Sequence, residues 1–517
     1  MELVQKNIHF NRIMKEAGNQ ITLEEDVNIP DTKEDIEEVL FTENNVIVEE
    51  VKIAEQKVHI RGKIMYSVLY KSEETGRLCS LMGSIPINES LYMEGVGSSD
   101  KFSVKNQVED FSVSIINSRK ISIQSVLALQ VFVQDLYDEQ ITVGVDAEGC
   151  EMLQKDCEFT QLAVCKKDIL RFRENVTLPN NMPNVEDIVF SSLRISDLEY
   201  KPLDGQISVQ GKVEFFILYD GERDSRNQMY QTAIPFGMMM ECSGSKPGMV
   251  SQIFHEILEK QVHLETDFDG ESRSFLVEMV MELDMKLYEP QKVNVLWDLY
   301  GTQKDLKPVI REFYYDVLCG QNTGNVKVMD KVQVDALKDN RKKILCKNGE
   351  AFLEKCEVTE NKINIKGMVS CQLLYAMEDM DTEFYSEQIM LPFVKTIEGV
   401  YDINNVHCSV RLKCGDIQIA FDMEGNMDVA ADVNYNLLVF EKMPGRNIVA
   451  VDSKEMDTER CNNLPAMAVC FASSDDTLWE MGKRYSVPIK QIRDMNQLPA
   501  DELKEGEKIL IVRGMCV

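Results

Sequence analysis

Val58-His59-Ile60-Arg61-Gly62-Lys63-Ile64, running on to Leu69-Tyr70, decides how this 517-residue chain is read, because the segment occurs three times. It returns as Ile207-Ser208-Val209-Gln210-Gly211-Lys212-Val213 with Leu218-Tyr219, and as Ile363-Asn364-Ile365-Lys366-Gly367-Met368-Val369 with Leu374-Tyr375. In each copy the glycine precedes the tyrosine by eight residues. Ile85-Pro86, Ile234-Pro235 and Leu391-Pro392 place a proline 24, 24 and 25 residues after the glycine. Val27-Asn28-Ile29-Pro30 and Val176-Thr177-Leu178-Pro179 end 32 residues before it, and Val332-Gln333-Val334-Asp335 keeps that spacing with aspartate in place of proline. The period, 149 residues from Gly62 to Gly211 and 156 from Gly211 to Gly367, is domain-sized, which excludes a solenoid and predicts tandem domains.

Apolar residues alternate with period two in these segments, and β-branched side chains dominate around them, as in half-buried strands. The same alternation returns in Lys120–Leu129, Gln261–Glu265 and Ser409–Lys413. Each copy therefore reads as a sandwich or curled sheet, with a short helix expected over Asp31 to Leu40. Glycine at a fixed place in a strand marks a bulge or a close backbone approach, so Gly62, Gly211 and Gly367 are assigned architectural roles, together with Pro86, Pro235 and Pro392. Met238-Met239-Met240 reads as strand core. The expected organisation is three β-rich repeats at 1–150, 151–300 and 301–442, a polar linker at 443–465, and a small α+β module at 466–517. The fold class is mainly β with that one α+β addition.

Fifty-six basic against 87 acidic residues give a net charge of -31 with no basic cluster, which disfavours a nucleic-acid partner. The first thirty residues hold no apolar signal core, and no run is long enough to span a bilayer, so a cytoplasmic location is expected. Fourteen cysteines without a C-x-x-C pair are expected to be reduced and to pack as small apolar residues.

Residues 466–517 carry seven basic and eight acidic side chains, a balance unlike that of the repeats. They read as β-α-α-β: strand Met467–Phe471, helices Thr477–Tyr485 and Pro488–Met495, strand Lys508–Val512. Thr477 with Glu480 fits a capping box, and Leu478, Met481 and Tyr485 share one helical face. Trp479 then points about 100° away from Leu478. A half-exposed tryptophan is a common interface anchor, and Lys483 lies one turn on, so a partner-facing role is expected for Trp479.

Ser474-Asp475-Asp476-Thr477-Leu478-Trp479-Glu480-Met481, then Tyr485-Ser486-Val487-Pro488-Ile489, Ile492, Asn496, Leu498, Leu503, Gly506 and Ile509-Leu510-Ile511, resemble a LysM domain along its whole length. The resemblance implies a shallow groove for N-acetylglucosamine glycans or a protein partner, with Asp475, Asp476, Thr477, Leu478, Trp479, Lys483, Ile492, Asn496 and Leu498 as candidate binding residues. Asp475 stands where that family usually has glycine. Pro30-Asp31 with Asp35-Ile36, the Gly62-to-Tyr70 segment, Ile85-Pro86 and Lys246-Pro247-Gly248-Met249 resemble the SipL/SPOCS domain of spore-forming Firmicutes. Three such domains before a LysM module resemble the architecture of clostridial spore coat assembly proteins. That resemblance implies a mother-cell protein at the forespore surface and in the spore coat, with the stage-IV spore morphogenetic ATPase as partner.

Catalysis would require a nucleophile with its base, a metal constellation or a phosphate loop. The five histidines are dispersed, no G-x-x-x-x-G-K-[ST] occurs, and 87 acidic residues are too many to single out a carboxylate pair. Repeated copies of one fold leave no distinct catalytic domain. A non-enzymatic scaffold without metal or cofactor is expected, the repeats supplying length and several weak contacts. The alternative is a protein that binds peptidoglycan of the cortex or cell wall.

Overall fold

The computed structural model describes residues 2–513 apart from 55, 98–99, 224, 267–268, 334–341, 378–379, 400, 423–425, 457–464, 474–475 and 500–502. The first copy contains β1 (Glu2–Asn28), β2 (Ile36–Ala54), β3 (Lys57–Ser72), β4 (Leu78–Tyr92), β5 (Lys101–Asn117) and β6 (Lys120–Asp146). These form two three-stranded antiparallel sheets, β1-β6-β5 and β2-β3-β4. The second copy repeats the pattern with β7 (Cys150–Thr177), β8 (Val185–Leu203), β9 (Gln206–Gly221), β10 (Ser225–Glu241), β11 (Val250–Thr266) and β12 (Ser272–Gly301). The third does so with β13 (Lys304–Gln333), β14 (Lys342–Thr359), β15 (Lys362–Met377), β16 (Met380–Glu398), β17 (Val406–Phe421) and β18 (Asn426–Glu455). Each pair of sheets encloses its own core; in the first copy this holds Val58, Ile60, Ile64 and Tyr70 from β3 against Ile121, Ile123, Leu127 and Leu129 from β6.

The repeated glycine lies on the central strand opposite a bulge. Gly62 pairs with Val48 at a register shift, Gly367 pairs with Leu353 at another, and Gly211 faces the break between Ser196 and Glu199. A Cβ on Gly62 would stand 2.3 Å from Ile47 O, and one on Gly367 would stand 2.3 Å from Phe352 O. At Gly211 the nearest neighbours are instead the Phe236 ring at 3.1 Å and Leu198 at 3.2 Å. Pro86, Pro235 and Pro392 lie on β4, β10 and β16, which are edge strands, where a missing N–H costs the ladder little. The tyrosine eight residues after the glycine is fully buried in all three copies, and in the first two its hydroxyl ties down the turn before the preceding strand: Tyr70 donates to Glu34 O at 2.9 Å and Tyr219 to Pro183 O at 3.1 Å.

The three copies do not extend end to end. β5, β11 and β17 pair with their long neighbours only as far as Gln134, Tyr288 and Glu441, beyond which β1-β6, β7-β12 and β13-β18 continue as two-stranded ribbons. The ribbons meet one another. Phe10, Phe159 and Tyr315 occupy equivalent positions in the three copies, and their rings form a triangle with centroid separations of 5.9, 5.8 and 4.7 Å. A second shared core joins equivalent side chains of the other sheets: Phe41 and Leu69, Phe190 and Leu218, Cys346 and Leu374. The repeats thus pack around a pseudo-threefold axis instead of supplying length.

Two further expectations are corrected. Residues 31–40 contain no helix: they make a turn and then enter β2, because Arg119 donates to the carbonyls of Ile29 and Lys33 and grips Asp31 and Asp35. Residues 443–455, expected to be linker, are strand, paired antiparallel with 304–315 across one bulge at Val449. Of the upstream anchor in the third copy, Val334 and Asp335 lie outside the described residues, as does 457–464 of the linker.

Candidate functional site

The C-terminal module is built as β19 (Met467–Phe471), α1 (Leu478–Tyr485), α2 (Ile489–Asn496) and β20 (Lys508–Val512), with β19 and β20 antiparallel. Leu478, Met481, Val487, Ile492, Ile509 and Ile511 fill a small core, with Leu498 and Tyr485 packed on it. Thr477 caps α1 by accepting the Glu480 N–H at 3.2 Å. Asn496 spends its whole amide on structure: Nδ2 donates to Ile492 O and Leu510 O, and Oδ1 accepts from Leu510 N. The Asp476 carboxylate braces its own loop, and the Ser473 N–H and then the Ser473 hydroxyl hold its pKa below the ordinary value.

The helix face that carries Trp479 is docked on the second repeat. At the end of β12 a bulge at Trp297 interrupts the ladder between Leu296 and Asp298, and Asp298 and Tyr300 follow two residues apart on one side of the strand. Trp479 Nε1 donates to Asp298 Oδ2 at 2.9 Å, and Lys483 Nζ donates to both carboxylate oxygens at 2.8 and 2.6 Å. Tyr300 stacks edge-on to Trp479 with centroids 4.9 Å apart, and its buried hydroxyl donates to Val487 O at 2.7 Å. Gly482 makes this approach possible, since a Cβ there would lie 2.4 Å from the Tyr300 hydroxyl oxygen. Burial raises the Tyr300 pKa, so the hydroxyl stays a donor.

Only the second copy offers this pair. The bulge recurs at Val143 and Val449, but the positions equivalent to Asp298 and Tyr300 are Gly144 and Asp146 in the first copy, Ala450 and Asp452 in the third. Neither alternative has an acceptor for Trp479 together with an aromatic hydroxyl for Val487. The tail is therefore directed to one of three similar ribbon ends by two side chains.

The sequence-selected residues thus divide. Trp479 and Lys483 come together, yet on the chain's own Asp298, which replaces the expected partner-facing role. Leu478 and Ile492 are core, Leu498 borders it, Thr477 is a cap, Asn496 is a clamp, and Asp475 lies outside the described residues. Sequence reasoning missed Asp298 and Tyr300. It also missed the outer face of β19, where Met467, Val469 and Phe471 are 62, 58 and 64% exposed. That strand had a readable signal, because Met467-Ala468-Val469-Cys470-Phe471 has no polar position to give to solvent.

Family models match this chain in three places. The model described as SipL, SPOCS domain matches residues 35–116 and 184–265, which are β2–β5 of the first copy and β8–β11 of the second, and the LysM domain model matches residues 473–512. The chain carries SipL/SPOCS domains and a C-terminal LysM domain. Both are binding domains, and their combination fits a sporulation-related scaffold. No curated protein and no solved structure matches the chain.

A cavity of about 360 Å³ lies between the first and third copies, with Thr42, Glu109, Asp110, Glu350, Ser370 and Gln372 among its lining. Burial raises the Glu350 pKa, but no histidine or cysteine joins it there. Among the described residues no group of three or more His, Cys, Asp or Glu side chains could hold a metal ion, and no helix is long and apolar enough to cross a membrane.

Proposed function

We propose that this chain is a non-enzymatic scaffold for spore coat assembly, working in the mother-cell cytoplasm at the forespore surface, and that its LysM domain binds a protein, the spore morphogenetic ATPase. The observation that carries a protein partner is the β19 face. Met467, Val469 and Phe471 form an exposed apolar stripe, continued by Leu510 and Val512 on β20, whereas Asp476, Thr477, Asn496, Trp479 and Lys483 are engaged in bracing, capping, clamping and docking. An apolar stripe of this kind suits a protein surface and gives a sugar's hydroxyls nothing to bond. The three copies share two cores, and the tail that carries the stripe is docked on the second copy. A fluorescent fusion of the full chain should form a ring around the forespore during sporulation, and Val469→Asp with Phe471→Asp should disperse it. Diffuse fluorescence of the unaltered chain refutes the proposal.

Peptidoglycan binding is the second reading, supported by the LysM match and by the exposure of Ser473 and Thr477 at the loop before α1. Saturable pelleting of the full chain with purified peptidoglycan, lost in Asp476→Ala, would favour it over a protein partner.

A further inference from the structure

Equivalent side chains of the three copies face one another across the pseudo-threefold axis, and at one level they are Lys105 of β5, Phe254 of β11 and Arg411 of β17. Each pairs with an equivalent position on its long neighbour: Gln130, Asp284 and Asn436. Lys105 Nζ lies 5.3 Å and Arg411 Cζ 4.0 Å from the centroid of the same Phe254 ring. Lys286 and Lys413 join them, so four cations converge inside a chain whose net charge is -31. Burial, then the charges of Arg411 and Lys286, lower the Lys105 pKa; burial, then Lys413 and Arg411, hold His255 down to about 3. Asp284 acts against Lys286 and Arg411, and Glu256, its pKa raised by burial, bonds Asn106.

Arg411 Nη2 and Lys413 Nζ are buried without a hydrogen-bond partner. Buried charged donors left in this state are costly, and such groups are usually paired. The surrounding bonds are also polarised in one direction. Tyr288 donates to Gln252 Oε1 at 3.3 Å, and Gln252 Nε2 donates to Ser409 Oγ at 2.6 Å, which leaves the Ser409 proton to be given onward. A cleft of about 10 Å³ lies there, lined by Gln252, Phe254, Ser409, Arg411, Asn436 and Leu438, with room for one water-sized group.

We propose that this cleft is a binding site for one compact monovalent anionic centre, a halide ion or a carboxylate oxygen, held by Arg411 Nη2, the Ser409 hydroxyl and the charge of Lys413. Asn436, whose Oδ1 is also unpaired, offers its NH₂ when the amide turns over. The anion ties the third copy to the second and offsets repulsion among Lys105, Lys286 and Arg411. It is a structural ligand of the pseudo-threefold body, independent of what the tail binds.

The test is thermal unfolding of the full chain at fixed ionic strength in gluconate, an anion too large for the cleft, exchanged stepwise for chloride, formate or phosphate. Binding to the folded state alone raises the midpoint with ligand concentration. A saturable rise with chloride or formate, larger than with phosphate, is expected; chloride alone assigns a halide, and formate alone a carboxylate. Arg411→Met should abolish the rise and lift the midpoint in gluconate. Lys413→Met should weaken the apparent affinity at least tenfold, and serves if the first variant fails to fold. A midpoint indifferent to the anion, a phosphate response as strong as chloride's, or an unchanged titration in a folded variant overturns the proposal and leaves water in the cleft.

Discussion

Replacing Asp298 by alanine tests whether the tail is held where the structure shows it. The carboxylate is 15% exposed and accepts four hydrogen bonds, one from the Leu299 N–H, one from the Trp479 indole and two from Lys483, whose side chain is 41% exposed. Truncating one member of a buried, hydrogen-bonded charge pair costs about 2–5 kcal/mol. Lys483 regains water when the carboxylate goes, so the low end applies, about 2–3 kcal/mol. At about 1.4 kcal/mol per factor of ten, the undocked population rises roughly 30- to 150-fold. The chain has two tryptophans, so the indole N–H of Trp479 can be followed by NMR hydrogen exchange beside that of Trp297, with Trp297→Phe making the assignment. Trp479 exchange should accelerate by that factor in Asp298→Ala and by less in Asp298→Asn, which keeps an acceptor. Exchange of Trp479 that is unchanged in Asp298→Ala would show that the docking contacts contribute nothing in solution.

Gly62→Ala puts a Cβ 2.3 Å from a backbone oxygen and should destabilise the chain by several kcal/mol in urea unfolding, whereas Gly237→Ala, with nothing nearer than 3.8 Å, should be close to neutral. Phe159→Ala removes one ring of the three-copy triangle and should cost about 3–5 kcal/mol; calorimetry should show one transition for all three copies, shifted as a whole. His255, held near 3 when folded against an ordinary value of 6.5, is protonated in the unfolded chain before the folded one as pH falls. Its contribution is therefore intact above pH 6.5 and is lost as pH falls toward 3, by up to about 1.4 kcal/mol per pH unit. Urea midpoints between pH 7 and 4 should fall less steeply for His255→Gln.

The tail was legible almost to the residue, because local signals set it: a cap at Thr477, a stripe through Leu478 and Met481, a proline before Ile489. The repeat was legible as three anchors at one spacing. The assembly of the copies was not, although Phe10, Phe159 and Tyr315 recur at the same period as the glycines. Their partners lie in other copies, and periodicity reports only which side of a strand is buried, not against what. Asp298 and Tyr300 were invisible for the same reason, since the side chains they hold lie about 180 residues away. The expected helix over 31–40 failed to a single distant side chain, Arg119, whose guanidinium satisfies the turn's carbonyls. The expected linker failed because Pro444-Gly445-Arg446-Asn447 reads locally as a break, while in the structure each of these residues pairs with β13.

The most direct measurement of the account is side-by-side binding of the purified full chain to the purified spore morphogenetic ATPase and to purified peptidoglycan. Saturable binding to the ATPase that Phe471→Asp abolishes, with no saturable binding to the glycan, is the predicted result. Saturable glycan binding with no measurable affinity for the ATPase would contradict it.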